Sequence, residues 1–312
     1  MEGVVDEYLR DILTNIGGFD FCVTEFVRVV DQRLPPKVFK RFCPELDQHC
    51  KTPAGTPVIV QLLGSDPEAM AANAVRAVEM GAPGIDLNFG CPAKCVNKRS
   101  GGSFLLQDPQ RMYNIISTVR AAVDDNIPVS AKIRLGYDNT DNTLEIVNAV
   151  EAAGASYITV HARTKADGYK APVRWEWLGK INETISIPMI ANGDINSVED
   201  YQRLYEISGC ENIMLGRGAV ARPDLARQIR AYKTGDTFDA MQWKAVLELL
   251  IGMSNDMTKD VKTRYIVSRT KQWLAMLKRV YPEATACFDS IRKMKDYPDV
   301  MASLNKQLEA IR

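Results

Sequence analysis

Apolar, β-branched stretches recur along the chain: FCVT at 21–24, PVIVQLLG at 57–64, GIDLN at 84–88, VSAKIRL at 129–135, YITVH at 157–161, PMIANG at 188–193 and NIMLG at 212–216. Each is short enough to be a strand buried on both faces, as in a parallel sheet. Between them lie DPEAMAANAVRAVEMGA, DPQRMYNIISTVRAAV, TLEIVNAVEAAGA and SVEDYQRLYEISG, amphipathic at helical spacing. Several of these open on Asp-Pro or Ser and close at Gly, the start and stop signals of helices. Strict alternation, with no G-x-G-x-x-G after the first strand, predicts an α/β fold of the (β/α)8 TIM-barrel type in preference to an open doubly wound sheet. Only seven strands can be read. The first clear element is a helix beginning near Val4, and MEG before it resembles a loop that follows a strand. The first strand is therefore absent from this chain and is expected upstream of Met1.

Beyond about residue 235 the pattern changes to helices alone: DAMQWKAVLELLIGMSNDM, VKTRYIVSRTKQWLAMLKRVY, EATACFDSIRKM and PDVMASLNKQLEAI. We expect a catalytic barrel over 1–235 and an all-α helical bundle over 236–312, joined through the polar segment YKTGDTFD.

With 312 residues, 46% of them hydrophobic and 25% charged, the chain has the composition of a globular protein with a large core. No apolar run approaches the roughly 20 residues that span a bilayer. The acidic start MEGVVDEYLR lacks the basic and apolar regions of a secretion signal, so a cytoplasmic protein without a membrane partner is expected. Seven scattered cysteines suit a reducing compartment better than a disulfide framework. Cys43, His49 and Cys50 lack a fourth partner for a closed structural zinc site, and no metal is expected. Lys and Arg total 39, as do Asp and Glu, so a nucleic-acid partner would need a local basic face.

The strand ends carry the candidate chemistry. ANGDI at 191–195 and LGRGA at 215–219 leave the last two strands, where barrels of this type bind phosphate; their glycines admit backbone N–H groups to an anion, and Arg217 adds charge. Either motif alone reads better as a plain turn; paired at the last two strands they favour phosphate binding. Gln61, Asn88, Cys91, Lys132, Arg134 and His161 stand at the other strand ends. Singly, each could be a satisfied structural residue; jointly they would be costly to bury without a ligand, and a planar polar cofactor would satisfy them.

Taken together, MEGV at the start, TEF at 24–26, VQLLG at 60–64, DLNFGCPAKCV at 86–96, SAKIRLG at 130–136, VHARTKADGY at 160–169, IANGDI at 190–195 and LGRGA at 215–219 resemble the tRNA-dihydrouridine synthases. The resemblance runs from Met1 through TKQWL at 270–274 into the final helices, and CVTEFVRVVDQRLPPKVFKRFCPEL is most similar to the subfamily called C, which acts on uridine 16 of the D-loop. It implies an FMN barrel with a helical tRNA-binding domain and NADPH (or NADH) as reductant. It further implies that Gln61, Lys132, His161, Asn192, Gly193, Asp194, Gly216 and Arg217 hold FMN, with the backbone of Met1 and Glu2 beneath the ring. Asp194 stands where the resemblance leads one to expect Glu.

The same resemblance gives Cys91 a role. Reduction of the uracil C5=C6 bond needs a hydride at C6 and a proton at C5 from the opposite face. A thiol with an ordinary pKa of about 8.5 is mostly protonated at neutral pH and can supply that proton. Pro92 stiffens the turn, and Gly101 and Gly102 let the loop fold close over a substrate. Cys95 is read as structural. Asn88 would meet the uracil edge and Tyr169 would stack near the flipped base. Arg28 on the barrel and Arg264, Arg269 and Lys271 in the helical domain would grip the tRNA backbone. No stable protein partner is expected, and a monomer follows. Two other readings are an FMN barrel acting on a free pyrimidine, as in dihydroorotate dehydrogenase, against which the helical C-terminal domain argues, and a tRNA-binding protein without catalysis. With no separate dinucleotide fingerprint, NADPH and tRNA are expected to visit the flavin in turn, by ping-pong kinetics.

Overall fold

The computed structural model describes residues 3–311. Contacts divide the chain into two compact units, one built from Asp20–Ile195 and Glu199–Leu215, the other from Val4–Phe19, Asn196–Val198 and Gly216–Arg312. The second unit contains the whole of the expected 236–312 bundle and adds the segments at 4–19, 196–198 and 216–235.

Strands β1 (Cys22–Val23), β2 (Val27–Arg28), β3 (Val58–Leu63), β4 (Ile85–Asn88), β5 (Val129–Arg134), β6 (Tyr157–His161), β7 (Met189–Asn192) and β8 (Ile213–Met214) form one sheet in the first unit. Every pairing in it is parallel. Both β1 and β2 pair β3, through Cys22 with Val58 and Val27 with Leu62, so they are two pieces of one strand position. The sheet therefore has seven positions in chain order, the seven that the apolar runs predict. Among the described residues no strand precedes Cys22 and no ladder joins β8 to β1.

The helices are α1 (Glu7–Ile16), α2 (Pro36–Phe42), α3 (Pro67–Glu79), α4 (Lys94–Asn97), α5 (Pro109–Ala122), α6 (Thr143–Ala152), α7 (Glu176–Thr184), α8 (Val198–Ser208), α9 (Arg217–Ala221), α10 (Leu225–Thr234), α11 (Trp243–Asp256), α12 (Thr263–Leu277), α13 (Glu283–Ile291) and α14 (Tyr297–Ala310). The two Asp-Pro signals act as read: Asp66 accepts from Ala69 N at 2.8 Å to cap α3, and Asp108 accepts from Arg111 N at 3.0 Å to cap α5. In each case proline occupies the first turn, where its missing N–H is no loss. No described helix is long and apolar enough to cross a membrane.

Strand register separates structure from chemistry. Side chains alternate between the faces of a strand, and the pairing carries that alternation across the sheet. Val58, Val60, Leu62, Ile85, Leu87, Val129, Ala131, Ile133, Ile158, Val160 and Ala191 share one face, and all are fully buried. The face of opposite parity carries Gln61, Asp86 and Ser130 as paired neighbours, then Asn88 with Lys132, then Arg134 with His161 and Asn192.

In the second unit, α11 to α14 bury Trp243, Leu247, Leu250, Trp273, Leu274, Leu277, Val300 and Leu304, and Leu9 and Leu13 of α1 join the same cluster. Asp6 caps α1, accepting from Leu9 N at 3.1 Å.

Candidate active site

Asp86 lies at the centre of the polar face and is almost wholly buried. Gln61 Nε2 donates to its Oδ2 at 2.6 Å and Ser130 Oγ to its Oδ1 at 2.7 Å. Burial nonetheless pushes its carboxyl up to about 6, against the opposing pull of these donors and of Lys132. From Asp86 a chain of amides runs toward the strand ends: Asn88 Nδ2 donates to Gln61 Oε1 at 2.7 Å, and Asn88 Oδ1 accepts from Gly90 N at 3.0 Å. Arg134, itself buried, takes the other side of that glycine, donating from Nε to Gly90 O at 2.9 Å. The residue before Cys91 is thus fixed from two strands.

The loop that follows is tied back onto Cys91. Its carbonyl accepts from Ser103 N at 3.0 Å, Ser103 Oγ at 2.9 Å and Asn97 Nδ2 at 3.0 Å. Asn97 Oδ1 also lies 2.9 Å from Ser103 Oγ, so the one hydroxyl proton is shared between the two acceptors. Val96 is buried against Phe26 and Leu63, with Cys91 and Ala93 packed on the same cluster. Gly102 has φ +59, and a Cβ there would lie 2.9 Å from Cys91 O, so only glycine closes the loop at this point. Cys95 is exposed, and its carbonyl accepts from Arg28 Nη2 at 2.9 Å.

At the ends of β5, β6 and β7, Lys132 Nζ donates to Asn192 Oδ1 at 3.2 Å and Asn192 Nδ2 donates to Met214 O at 2.7 Å. Burial lowers the Lys132 ammonium to about 8, with Arg134 nearby acting in the same direction. Gly193 has φ +132, and a Cβ there would meet Val173 Cγ2 at 3.0 Å and His161 Cδ2 at 3.1 Å; its carbonyl accepts from Trp175 Nε1 at 2.9 Å. Asp194 adopts a left-handed φ of 52 and accepts from Arg163 Nη2 at 2.5 Å. Tyr169, 57% exposed, stands with its ring 5.3 Å from the Arg134 guanidinium and 6.3 Å from the His161 ring.

The donor set suits a planar polar cofactor. Among the described residues, Lys132 offers three N–H bonds to a single acceptor, and buried Thr159 Oγ1 and Arg163 Nη1 have no partner. Gly193 lets the backbone run against His161 and Val173, where a Cβ would press on both.

The expected RNA contacts fare differently. Arg264 is exposed on α12. Arg269 is corrected: only 7% exposed, it pairs through Nε with Asp6 Oδ2 at 2.8 Å and donates to Val4 O, because its place on α12 faces α1 instead of solvent. Lys271 is half-buried, and its Nζ donates to the carbonyls of Arg292 and Met294 just beyond α13. Gly216 precedes the short helix α9, with Arg217 its first residue, in the second unit. Met1 and Glu2 lie outside the described residues. Cys43 and Cys50 are buried with their sulfurs 3.7 Å apart. Asp86, Asn97, Ser103 and Arg163 are the residues that sequence reasoning missed. The only sequence signal for Asp86 is a lone carboxylate inside an apolar run.

The family model of dihydrouridine synthase (Dus) matches residues 1–308. A protein of Pseudomonas putida named tRNA-dihydrouridine(16) synthase is 48% identical over 311 residues, covering 100% of this chain and 96% of its own. One of the same name from Vibrio parahaemolyticus is 52% identical over 293 residues, covering 94% and 89%. Among solved structures, an old yellow enzyme homologue from Zymomonas mobilis superposes with a TM-score of 0.51 at 11% identity, over 77% of this chain and 86% of that one, a likeness of fold. With a match along nearly its whole length, this chain belongs to the dihydrouridine synthase family.

Proposed function

We propose that this protein reduces the C5=C6 bond of uridine 16 in the D-loop of tRNA, with bound FMN and NADPH as the source of electrons. The observation that carries the reading is Cys91, held by hydrogen bonds to its carbonyl and by a glycine fixed from two strands, in the same unit as Lys132, which meets a single acceptor, and Thr159 Oγ1 and Arg163 Nη1, which meet none among the described residues. FMN, when bound, supplies the hydride for C6.

The chain's own groups do the rest. Gln61, Lys132, His161, Asn192, Gly193 and Asp194 hold the cofactor in the first unit. Cys91 Sγ holds the proton that goes to C5. Asn88 retains one N–H and one lone pair for the uracil edge beyond its bonds to Gln61 and Gly90. Tyr169 offers an exposed ring on which the base can stack once it leaves its own stack, a cost of a few kcal/mol that is least in a loop.

The test is a visible spectrum of the purified protein, followed by mapping of dihydrouridine in tRNA from a strain lacking the gene. Noncovalent FMN and loss at position 16 alone are expected. Absence of flavin would overturn the enzymatic reading, and loss at another position with 16 retained would overturn the choice of uridine.

A further inference from the structure

Between Leu87 and Gln107 the chain carries Lys94, Lys98 and Arg99 and no carboxylate, although the whole chain balances 39 cations against 39 anions. All three cations are exposed, and among the described residues none pairs with a carboxylate. Lys94 and Lys98 are four residues apart across the single turn of α4, where like charges repel. A fold that keeps three uncompensated cations on six residues favours an anionic occupant.

Their place in the loop says what such an occupant would control. Asn97, between the two lysines, donates to Cys91 O at 3.0 Å, and Val96 anchors the same turn on Phe26 and Leu63. Arg28 secures the turn from the barrel through Cys95 O at 2.9 Å. A small hollow beside it is lined by Arg28, Ser65, Val96 and Arg99. The cations and the thiol therefore ride on one braced piece of backbone.

We propose that Lys94, Lys98 and Arg99 form a phosphate clamp for the RNA strand flanking the base that Cys91 protonates. This rests on the proposed tRNA substrate. Phosphate contacts set register without reading sequence, and a clamp joined to Cys91 through Asn97 seats the flanking backbone and the thiol together.

The experiment compares tRNA binding across a salt series for the wild type, the triple variant K94Q/K98Q/R99Q and the charge-conserving triple K94R/K98R/R99K. Melting temperature and bound flavin serve as controls for folding. Expected is a fall in the slope of log K against log salt by about one unit per lost contact in the Gln variant, with the charge-conserving variant near wild type. Lys98→Gln alone should show about one unit, which keeps the test readable if the triple variant folds poorly. Unchanged slope and affinity would overturn the clamp. So would a raised KM for NADPH with unchanged tRNA binding, since that assigns the cations to the dinucleotide's phosphates. Failure of the wild type to form dihydrouridine in any tRNA would instead overturn the proposed function, whatever the slopes.

Discussion

Gln61 Nε2 donates to Asp86 Oδ2 at 2.6 Å, and that bond dictates how the Gln61 amide faces. An ionised carboxylate only accepts, so Gln61 must turn its nitrogen toward Asp86 and its oxygen toward Asn88, which in turn offers its oxygen to Gly90 N. One buried charge thereby orders the Gln61 and Asn88 amides between the middle of the sheet and the Cys91 loop.

That charge is also a pH-dependent liability. The folded Asp86 carboxyl is raised from 3.8 to about 6 by burial, so the folded state holds this proton over a range in which the unfolded chain has released it. The associated stability is complete below about pH 4 and is lost as pH rises through about 6, by roughly 2 to 3 kcal/mol at 1.36 kcal/mol per unit. Urea midpoints measured between pH 4 and 7 should show this decline in the wild type and a flatter profile in Asp86→Asn. Parallel profiles for the two proteins would refute the assignment.

Replacing Cys91 with Ala removes the proposed proton donor and leaves the polar sheet face intact. Reduction of bound flavin by NADPH should persist, while dihydrouridine formation falls by about 10²- to 10⁴-fold, the usual contribution of a positioned acid. Cys95→Ala should be mild, since Cys95 contributes its backbone carbonyl to Arg28 and exposes its side chain. Stopped-flow reduction and dihydrouridine yield separate the two steps; wild-type yield from the Cys91 variant would identify a different acid.

Arg264 and Arg269 share a helix and a charge but differ in fate. Arg269→Ala leaves Asp6 buried without its partner and should cost about 3 kcal/mol of stability in the helical unit. Arg264→Ala, on an exposed position, should leave the melting temperature within about a degree of wild type and reduce the salt dependence of tRNA binding. Calorimetry and a binding titration on the two variants distinguish them. A stable Arg269 variant with weakened tRNA binding would make Arg269 an RNA contact after all.

These outcomes mark what could be read in the sequence. Strands buried on both faces give unbroken apolar runs, so all seven sheet positions were legible, as were the Asp-Pro starts of α3 and α5. The thiol loop was legible because its residues are contiguous. Asp86, Arg163 and Arg269 were not legible as site or structural residues, since their partners come from other elements: Gln61 and Ser130 across the sheet, Asp194 beyond β7, Asp6 at the start of α1. Helical periodicity places Ile266, Thr270, Trp273 and Leu277 inward on α12, and Arg269 borders that stripe. Only the docking of α1 decides that it is covered.

Gly101 and Gly102 are adjacent and alike in sequence, yet the structure assigns them opposite tolerance. At Gly101 the backbone has φ −112, open to any residue, and a Cβ would sit 3.6 Å or more from its neighbours. At Gly102 φ is +59, and a Cβ would press to 2.9 Å on Cys91 O and on Val96 Cγ1. Gly101→Ala should therefore retain both flavin and dihydrouridine formation. Gly102→Ala must carry left-handed strain of about 1–2 kcal/mol and push on the very carbonyl that Asn97 and Ser103 hold. Flavin content and its reduction by NADPH should match wild type, because the strand ends are untouched, while single-turnover reduction of tRNA slows at least tenfold. Equal single-turnover rates for the two alanine variants would mean that the placement of Cys91 does not depend on the closure seen at Gly102.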